Sequence, residues 1–147
     1  MSADRAGTPR GRRLYLDTSA YLCILLGEEG WEALSEQTDG AELLSSVLLV
    51  LEARRNLIRL ARDGSLTPEH YKTCMDRVDE DSTVLVLRDL TLDLCASNIL
   101  PAITTPRSLD LAHLRTALWF HSPDRIDRFV TLDATQEQAA KELGLPV

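Results

Sequence analysis

Short apolar runs alternate along this chain with longer segments whose apolar residues recur at helical spacing. The run from Leu14 to Leu16 ends abruptly at Asp17, and the run from Phe129 to Leu132 ends at Asp133. Alternation of short strands with helices is typical of α/β domains, in which helices cover both faces of a parallel sheet. The sequence therefore predicts a three-layer α/β/α sandwich with a mainly parallel central sheet.

The length of 147 residues is close to the commonest size of a single domain. Residues 1–13 are rich in Gly, Pro, Ser and Arg and lack hydrophobic periodicity, which predicts a flexible basic N-terminal tail. We expect residues 14–147 to form one domain. No apolar run approaches the roughly 20 residues of a membrane span, and the N-terminus lacks the apolar core of a secretory signal. We therefore expect no membrane partner and a cytoplasmic location.

Local signals divide the domain into strands and helices. We expect strands at about 14–16, 43–44, 83–87 and 129–132, with the third buried on both faces. We expect helices at about 20–26, 28–37, 46–62, 68 onward, 90–98, 109–120 and 134–144. Ser45 or Ser46 is the expected cap of the third helix, Thr67 with Pro68 opens the fourth, and Ser108 caps the sixth.

Four acidic residues stand out from the others because of their positions. Asp17 and Asp133 each follow a strand, Asp110 lies in the first turn of a helix, and Glu52 lies further into the long helix. Ligands of open α/β sheets bind beyond the carboxyl ends of the strands, where the first two acids are expected to lie. Apolar neighbours predict partial burial, and a buried carboxylate needs a cation or hydrogen bonds.

Each acid also has a purely structural interpretation. Asp17 can cap the helix that follows it, and Asp133 fits a capping box. Asp110 lies in the first turn of its helix, where a negative charge interacts favourably with the helix dipole without any further function. Glu52 can pair with Arg55 on a solvated face of its helix. Taken one at a time, these interpretations are at least as good as a functional one.

Taken together, four segments resemble the acidic motifs of the PIN-domain ribonucleases, and most of all those of the VapC-type toxins of bacterial and archaeal toxin–antitoxin pairs. The segments are 14–20 (LYLDTSA), 45–55 (SSVLLVLEARR), 108–117 (SLDLAHLRTA) and 129–134 (FVTLDA). The closing stretch 139–147 is similar to the last helix and short strand of that family. The tail and the proline-containing segment 98–107 depart from the family pattern without touching the acids.

The resemblance implies a catalytic and metal-binding quartet of Asp17, Glu52, Asp110 and Asp133 that holds Mg²⁺ or Mn²⁺. Hydroxyl groups at three further positions are implied to orient the carboxylates or a metal-bound water. They belong to Thr18, Ser19 and Thr131. The implied activity is hydrolysis of RNA phosphodiester bonds inside the chain, leaving 5′-phosphate and 3′-hydroxyl ends. The implied partners are an RNA substrate, a cognate antitoxin whose C-terminal segment occupies the acidic groove, and a second copy of the chain.

The charge distribution bears on RNA binding. A formal net charge of −7 argues against a generally basic surface. Arginines are nevertheless concentrated on the helix that carries Glu52 and around Asp110, where they either contact RNA phosphates or form solvated faces. The candidates are Arg54, Arg55, Arg59, Arg107 and Arg115. His113 lies one turn after Asp110, and we interpret it as a hydrogen-bonded helix histidine rather than a group that assists a water.

Other functions remain as alternatives. A phosphate-transferring enzyme of the haloacid dehalogenase type also begins with a strand and an Asp, but needs a second Asp where this chain has Ser19. A phosphoacceptor receiver domain needs paired acids at the first strand and a characteristic late lysine, and neither feature is apparent in the sequence. A catalytically silent PIN-like module that binds only RNA or a partner is a further alternative, although the presence of all four acids disfavours it.

Overall fold

A computed structural model describes residues 10–97, 100–104 and 107–147. Its strands are β1 (Arg13–Leu16), β2 (Glu42–Ser46), β3 (Val86–Arg88) and β4 (Arg128–Val130). Its helices are α1 (Thr18–Leu26), α2 (Trp31–Thr38), α3 (Leu48–Arg62), α4 (Pro68–Val84), α5 (Leu92–Ala96), α6 (Ser108–His121) and α7 (Ala134–Glu142). Strands and helices alternate along the chain as predicted.

The four strands form one parallel sheet in the order β3-β2-β1-β4. Tyr15 in β1 lies opposite Leu44 in β2 and Phe129 in β4. The chain adds β2 and β3 on one side of β1 and then returns to place β4 on the other side. The strand order therefore reverses between β1 and β4, and such a switch point opens a crevice at the carboxyl ends of the two strands.

Helices cover both faces of the sheet, which confirms the predicted α/β/α sandwich. Tyr15 packs on one face in a core that includes Leu114 of α6 and Ala139 of α7. Leu14 and Leu16, which alternate with Tyr15 along the strand, pack on the other face in a core that contains residues of α1 and α2. A third cluster joins α3 and α4 to α1 through Leu57, Val78 and Tyr21.

The predicted strand at 83–87 is wrong in position and in burial. Helix α4 continues to Val84, with the amide of Leu85 still bonded to the carbonyl of Asp81, and β3 begins only at Val86. Because β3 is an edge strand paired with β2 alone, it is not buried on both faces. Val84 is 79% exposed and Val86 is 42% exposed.

Two predicted serine caps are also corrected. Ser45 and Ser46 both lie in β2, and Val47 occupies the cap position of α3, although the Ser46 hydroxyl accepts a hydrogen bond from the Leu48 amide (3.2 Å). Ser108 is the first residue of α6 rather than its cap, which is Arg107.

Several ends of elements also differ from expectation. Helix α2 begins at Trp31, after Gly30 in the left-handed region at φ 88°. Helix α5 begins two residues later than predicted, and its predicted end at Asn98 lies outside the described residues. No strand follows α7 in the described part of the chain, although the Pro146 carbonyl accepts a hydrogen bond from the Phe129 amide of β4 (2.7 Å).

Other local predictions are confirmed. Thr67 caps α4 by accepting a hydrogen bond from the His70 amide (3.1 Å), with Pro68 at the start of the helix. Helix α1 ends at Gly27, which is in the left-handed conformation.

Residues 1–9 of the predicted tail lie outside the described residues, and β1 starts at Arg13, one residue earlier than expected. Among the described helices, none is long and apolar enough to cross a bilayer.

Helix α3 offers a direct test of this packing because adjacent residues face opposite ways. Leu57 is fully buried, whereas Ile58 is 47% exposed. We expect Leu57→Ala to lower the free energy of unfolding by about 2–5 kcal/mol through loss of buried apolar contacts and a cavity. Ile58→Ala should change it by less than about 0.5 kcal/mol. Urea unfolding of the two variants measures the difference, and equal losses would contradict the orientation of α3.

Candidate functional site

A cleft with a volume of about 180 Å³ lies at the carboxyl ends of β1 and β4, at the switch point of the sheet. All four acids singled out in the sequence contribute to its wall. The lining residues are Asp17, Thr18, Ser19, Leu22, Glu52, Asn56, Asp110, His113 and Asp133. Side chains from four separate segments of the chain thus meet in one place.

Asp17 is the most buried of the four acids, with 6% of its surface exposed. Its Oδ1 accepts hydrogen bonds from the Ser19 hydroxyl (2.6 Å) and the Ala20 amide (3.2 Å), and its Oδ2 accepts one from the Thr131 hydroxyl. Burial raises the pKa of Asp17, and the three hydrogen bonds only partly offset this effect. Asp17 caps α1 as its structural interpretation predicted, and it also faces the cleft.

Ser19 and Thr131 connect Asp17 to the segment after β4. The Ser19 hydroxyl accepts a hydrogen bond from the Leu132 amide (2.9 Å), and the Thr131 hydroxyl accepts one from the Asp133 amide (3.1 Å). Each hydroxyl therefore donates to the Asp17 carboxylate and accepts from the backbone that leads into α7. These two side chains set the position of Asp133 relative to Asp17.

Glu52 projects from α3 into the cleft. Its Oε1 accepts hydrogen bonds from the Thr18 hydroxyl (2.8 Å) and from Nε2 of His113 (2.8 Å). Burial raises the pKa of Glu52, but the hydrogen bonds and the nearby His113 outweigh burial, so the pKa is lowered overall. Glu52 does not lie on a solvated face, since its side chain is only 20% exposed and is hydrogen-bonded to Thr18 and His113. The nearby charge of Arg55 does contribute to lowering the pKa of Glu52.

Asp110 lies in the first turn of α6, and its carboxylate has no hydrogen bond within the described residues. Burial raises the pKa of Asp110, and the negative charges of Asp133, Asp17 and Glu52 raise it further, against an opposing effect of Arg107. The carboxylates are therefore close enough to repel one another.

Asp133 combines a structural role with its place in the cleft. Its Oδ1 caps α7 by accepting hydrogen bonds from the amides of Thr135 (2.8 Å) and Gln136 (3.2 Å). The buried side chain of Gln136 in turn donates to the backbone carbonyl of Asp110 (2.9 Å), which joins the start of α7 to the start of α6. Capping and a position in the cleft are compatible, so the structural interpretation does not displace the functional one.

Three helices begin at the cleft. Asp17 precedes α1, Asp110 lies in the first turn of α6, and Asp133 precedes α7. The N-terminus of a helix carries a partial positive charge and unpaired amide groups. These helix ends offset part of the repulsion among the carboxylates.

The residue types that line the cleft suit a hard divalent cation, but the side chains are spaced too widely to surround one. Carboxylate and hydroxyl oxygens are the ligands that Mg²⁺ prefers. Within the described residues, however, no three His, Cys, Asp or Glu side chains lie close enough together to hold a metal ion. The residues therefore fit Mg²⁺ bound through one or two carboxylates and its own waters, which is its usual mode in proteins.

The arginines predicted to contact RNA fall into different environments. Arg55 and Arg59 line an open groove of about 460 Å³ together with Arg62, Ile58 and Asp63.

Two other predicted arginines have partners away from the cleft, and a third affects the pKa of one of its acids. Arg54 forms an ion pair with Asp79 of α4. Arg115 donates a hydrogen bond to the carbonyl of Ser97 and does not line the cleft. Arg107, directly before α6, is close enough to Asp110 to lower the pKa of that carboxyl.

Among the polar residues of the site, the sequence did not indicate Asn56 or Tyr15, and His113 was given too small a role. Asn56 lines the cleft, and Tyr15 lies behind it with its hydroxyl 2.7 Å from Nδ1 of His113. Helical spacing was an available signal, because Asn56 follows Glu52 by four residues and His113 follows Asp110 by three. His113 is hydrogen-bonded as predicted, and its partner is an acid of the cleft.

No protein-family model matches the chain, and no curated protein is significantly similar to it in sequence.

The repulsion around Asp110 has a measurable consequence for stability. Because the pKa of Asp110 is raised in the folded chain, stability falls as pH rises from the ordinary value of 3.8 through the raised value. We expect Asp110→Asn to raise the Tm at pH 7 in chelator, and the gain to vanish below pH 3.8, where the carboxyl is protonated in both states.

Asp63 provides the control, because hydrogen bonds from Ser65 lower its pKa. Asp63→Asn should give no gain in Tm at pH 7. A lower Tm for Asp110→Asn at pH 7 would contradict the repulsion described above.

Proposed function

We propose that this protein is a metal-dependent endoribonuclease of the PIN-domain type that hydrolyses RNA phosphodiester bonds. The observation that carries the proposal is the convergence of Asp17, Glu52, Asp110 and Asp133 on one cleft at the switch point of a parallel sheet. Mutual repulsion among these carboxylates, evident at Asp110, favours binding of a divalent cation. The sequence motifs that resemble those of PIN-domain ribonucleases contain the same four acids.

The four acids have different roles in the proposed reaction. Asp110 and Asp133 lack hydrogen bonds on at least one carboxylate oxygen within the described residues, and these oxygens are available to a cation or its waters. Asp17 is held by three hydrogen bonds and fixes the geometry of the cleft. These carboxylates would hold a Mg²⁺ or Mn²⁺ ion, which would supply acidification of water and compensation of negative charge on the phosphate.

The groove on α3 supplies a path for the RNA backbone. Glu52, Arg55, Arg59 and Arg62 recur at helical spacing and share one stripe of α3. At a rise of 1.5 Å per residue, Arg55 lies about 4.5 Å and Arg62 about 15 Å along the helix axis from Glu52. RNA that leaves the cleft along this stripe would meet the positive charges of Arg55, Arg59 and Arg62. Arg54 is off the stripe and forms an ion pair with Asp79, whereas Arg59, on the stripe, lies 3.8 Å from Asp63.

The physiological part of the proposal rests on the sequence resemblance. We propose that the protein is the toxin of a toxin–antitoxin pair that cuts RNA in the cytoplasm. Its protein partners in this proposal are a cognate antitoxin and a second copy of the chain.

Cleavage assays on total cellular RNA test the enzymatic proposal. We expect cutting that requires Mg²⁺ or Mn²⁺ and stops in excess chelator. Asp110→Asn removes a charge from the proposed cation site, and Asp17→Asn disturbs the carboxylate that fixes the geometry of the cleft, so each should reduce the cleavage rate by about 100-fold. Asp76→Asn should cut at the wild-type rate, since Asp76 is exposed on α4 and pairs with Lys72.

The outcomes distinguish the proposal from its alternatives. Cutting that persists in chelator or in both cleft variants would overturn the metal-dependent mechanism. Wild-type protein that binds RNA and cuts none would favour a silent RNA-binding module.

The salt dependence of RNA binding tests the groove. We expect Arg55→Gln and Arg62→Gln each to reduce the slope of log affinity against log salt by about 0.7, the value for one contact to single-stranded nucleic acid. Arg128→Gln is the matched control, because Arg128 is exposed at the start of β4, away from the carboxyl edge of the sheet. Equal slopes for all three variants would exclude the α3 groove as the RNA path.

A further inference from the structure

A buried histidine links the sheet to one acid of the cleft. His113 of α6 is 2% exposed and lies between Tyr15 of β1 and Glu52 of α3. Its Nδ1 is 2.7 Å from the Tyr15 hydroxyl, and its Nε2 is 2.8 Å from Oε1 of Glu52. Both ring nitrogens therefore have partners, and the three side chains come from three different elements.

The directions of the hydrogen bonds follow from the chemistry of the partners. An ionised carboxylate only accepts hydrogen bonds, so Nε2 of His113 donates to Glu52. The Tyr15 hydroxyl can then donate to Nδ1. This is the arrangement in which the second nitrogen of an imidazole sets the orientation of the first.

Tyr15 itself is rigidly held. It is fully buried, and its ring stacks on Phe129 of β4 with centroids 5.3 Å apart and planes at 5°. The His113 ring meets Tyr15 edge-on at 5.9 Å. The position of the imidazole is therefore set by β1 and β4, the same strands that border the cleft.

The hydrogen bonds to Glu52 are concentrated on one of its two carboxylate oxygens. Oε1 accepts from both His113 and Thr18, each at 2.8 Å, whereas Oε2 has no hydrogen bond within the described residues. Two donors on one oxygen fix the plane of the carboxylate. The other oxygen belongs to a residue that lines the cleft, and its lone pairs have no donor among the described residues.

We propose that Tyr15 and His113 form a positioning pair that fixes Glu52 through Oε1 and presents Oε2 to a divalent cation. The proposal rests on the proposed function to the extent that Glu52 is a cation ligand. His113 and Tyr15 are positioning residues, because neither has to contact the cation or the RNA.

Titration of the full-length protein with Mn²⁺ alone, followed by calorimetry, tests the pair. His113→Leu removes the donor, and we expect Mn²⁺ affinity to fall by about 10- to 100-fold, the usual effect of losing a group that orients a metal ligand. His113→Gln keeps an amide donor and should recover part of the loss. RNA cleavage by His113→Leu should recover when Mn²⁺ is raised to saturation.

Two tyrosine variants form a matched pair. Tyr15→Phe deletes only the hydroxyl that contacts Nδ1 and leaves a ring that still stacks on Phe129, so we expect a smaller loss of Mn²⁺ affinity, about 10-fold. Tyr21→Phe deletes a hydroxyl that donates to Asp81 (2.7 Å) outside the cleft and should bind Mn²⁺ as the wild type does. Thermal unfolding of each variant checks that it is folded.

The results separate this proposal from the proposed function. Unchanged Mn²⁺ affinity in folded Tyr15→Phe or His113→Leu, with wild-type protein binding Mn²⁺ and cutting RNA, would overturn the positioning pair alone. Equal losses in His113→Gln and His113→Leu would also overturn it, because the donor would not matter. If His113→Leu does not fold, Tyr15→Phe decides the question. Wild-type protein that neither binds Mn²⁺ nor cuts RNA would overturn the proposed function and, with it, the pair.

Discussion

The carboxylate of Asp17 is buried at the end of β1, and the segments on both sides of the switch point are joined through it. A buried charge without partners is strongly unfavourable, so the hydroxyls of Ser19 and Thr131 are needed for the fold itself. Because the same hydroxyls accept hydrogen bonds from the backbone of Leu132 and Asp133, they also carry the chain from β4 into α7. The interactions that satisfy Asp17 are thus the ones that bring the acids together.

The sequence predicted those element ends that depend on neighbouring residues, such as helix caps. It predicted less well the strand whose position depends on pairing within the sheet. Thr67 and Pro68 start α4 because a capping hydroxyl and a fixed backbone angle act within one turn. The run 83–87 misleads because its apolar, β-branched residues suit a strand, while the backbone hydrogen bonds of α4 continue to Leu85. β3 begins within the same run, at Val86, so the apolar pattern does not mark the residue at which the helix ends and the edge strand starts.

The sequence indicated which acids belong to the candidate site, but it did not indicate how their side chains are oriented or which residues contact them. The orientation of α3 is fixed by Leu49, Ala53 and Leu57, which are all buried, and this burial turns Glu52 toward the cleft rather than toward solvent. The same rotation separates Arg55 from its neighbour Arg54. His113 and Glu52 are 61 residues apart in the sequence and lie on different helices. Local sequence patterns carry no information about a contact over such a separation.

The electrostatics of the cleft make cation and RNA binding depend on each other in the proposed reaction. Four carboxylates repel a phosphate group, and the helix ends at the cleft and the arginines of α3 offset this repulsion only in part. A bound cation reduces the repulsion, and a phosphate supplies the cation with oxygens that the spaced carboxylates do not. Since such coupling is reciprocal, each should strengthen the binding of the other.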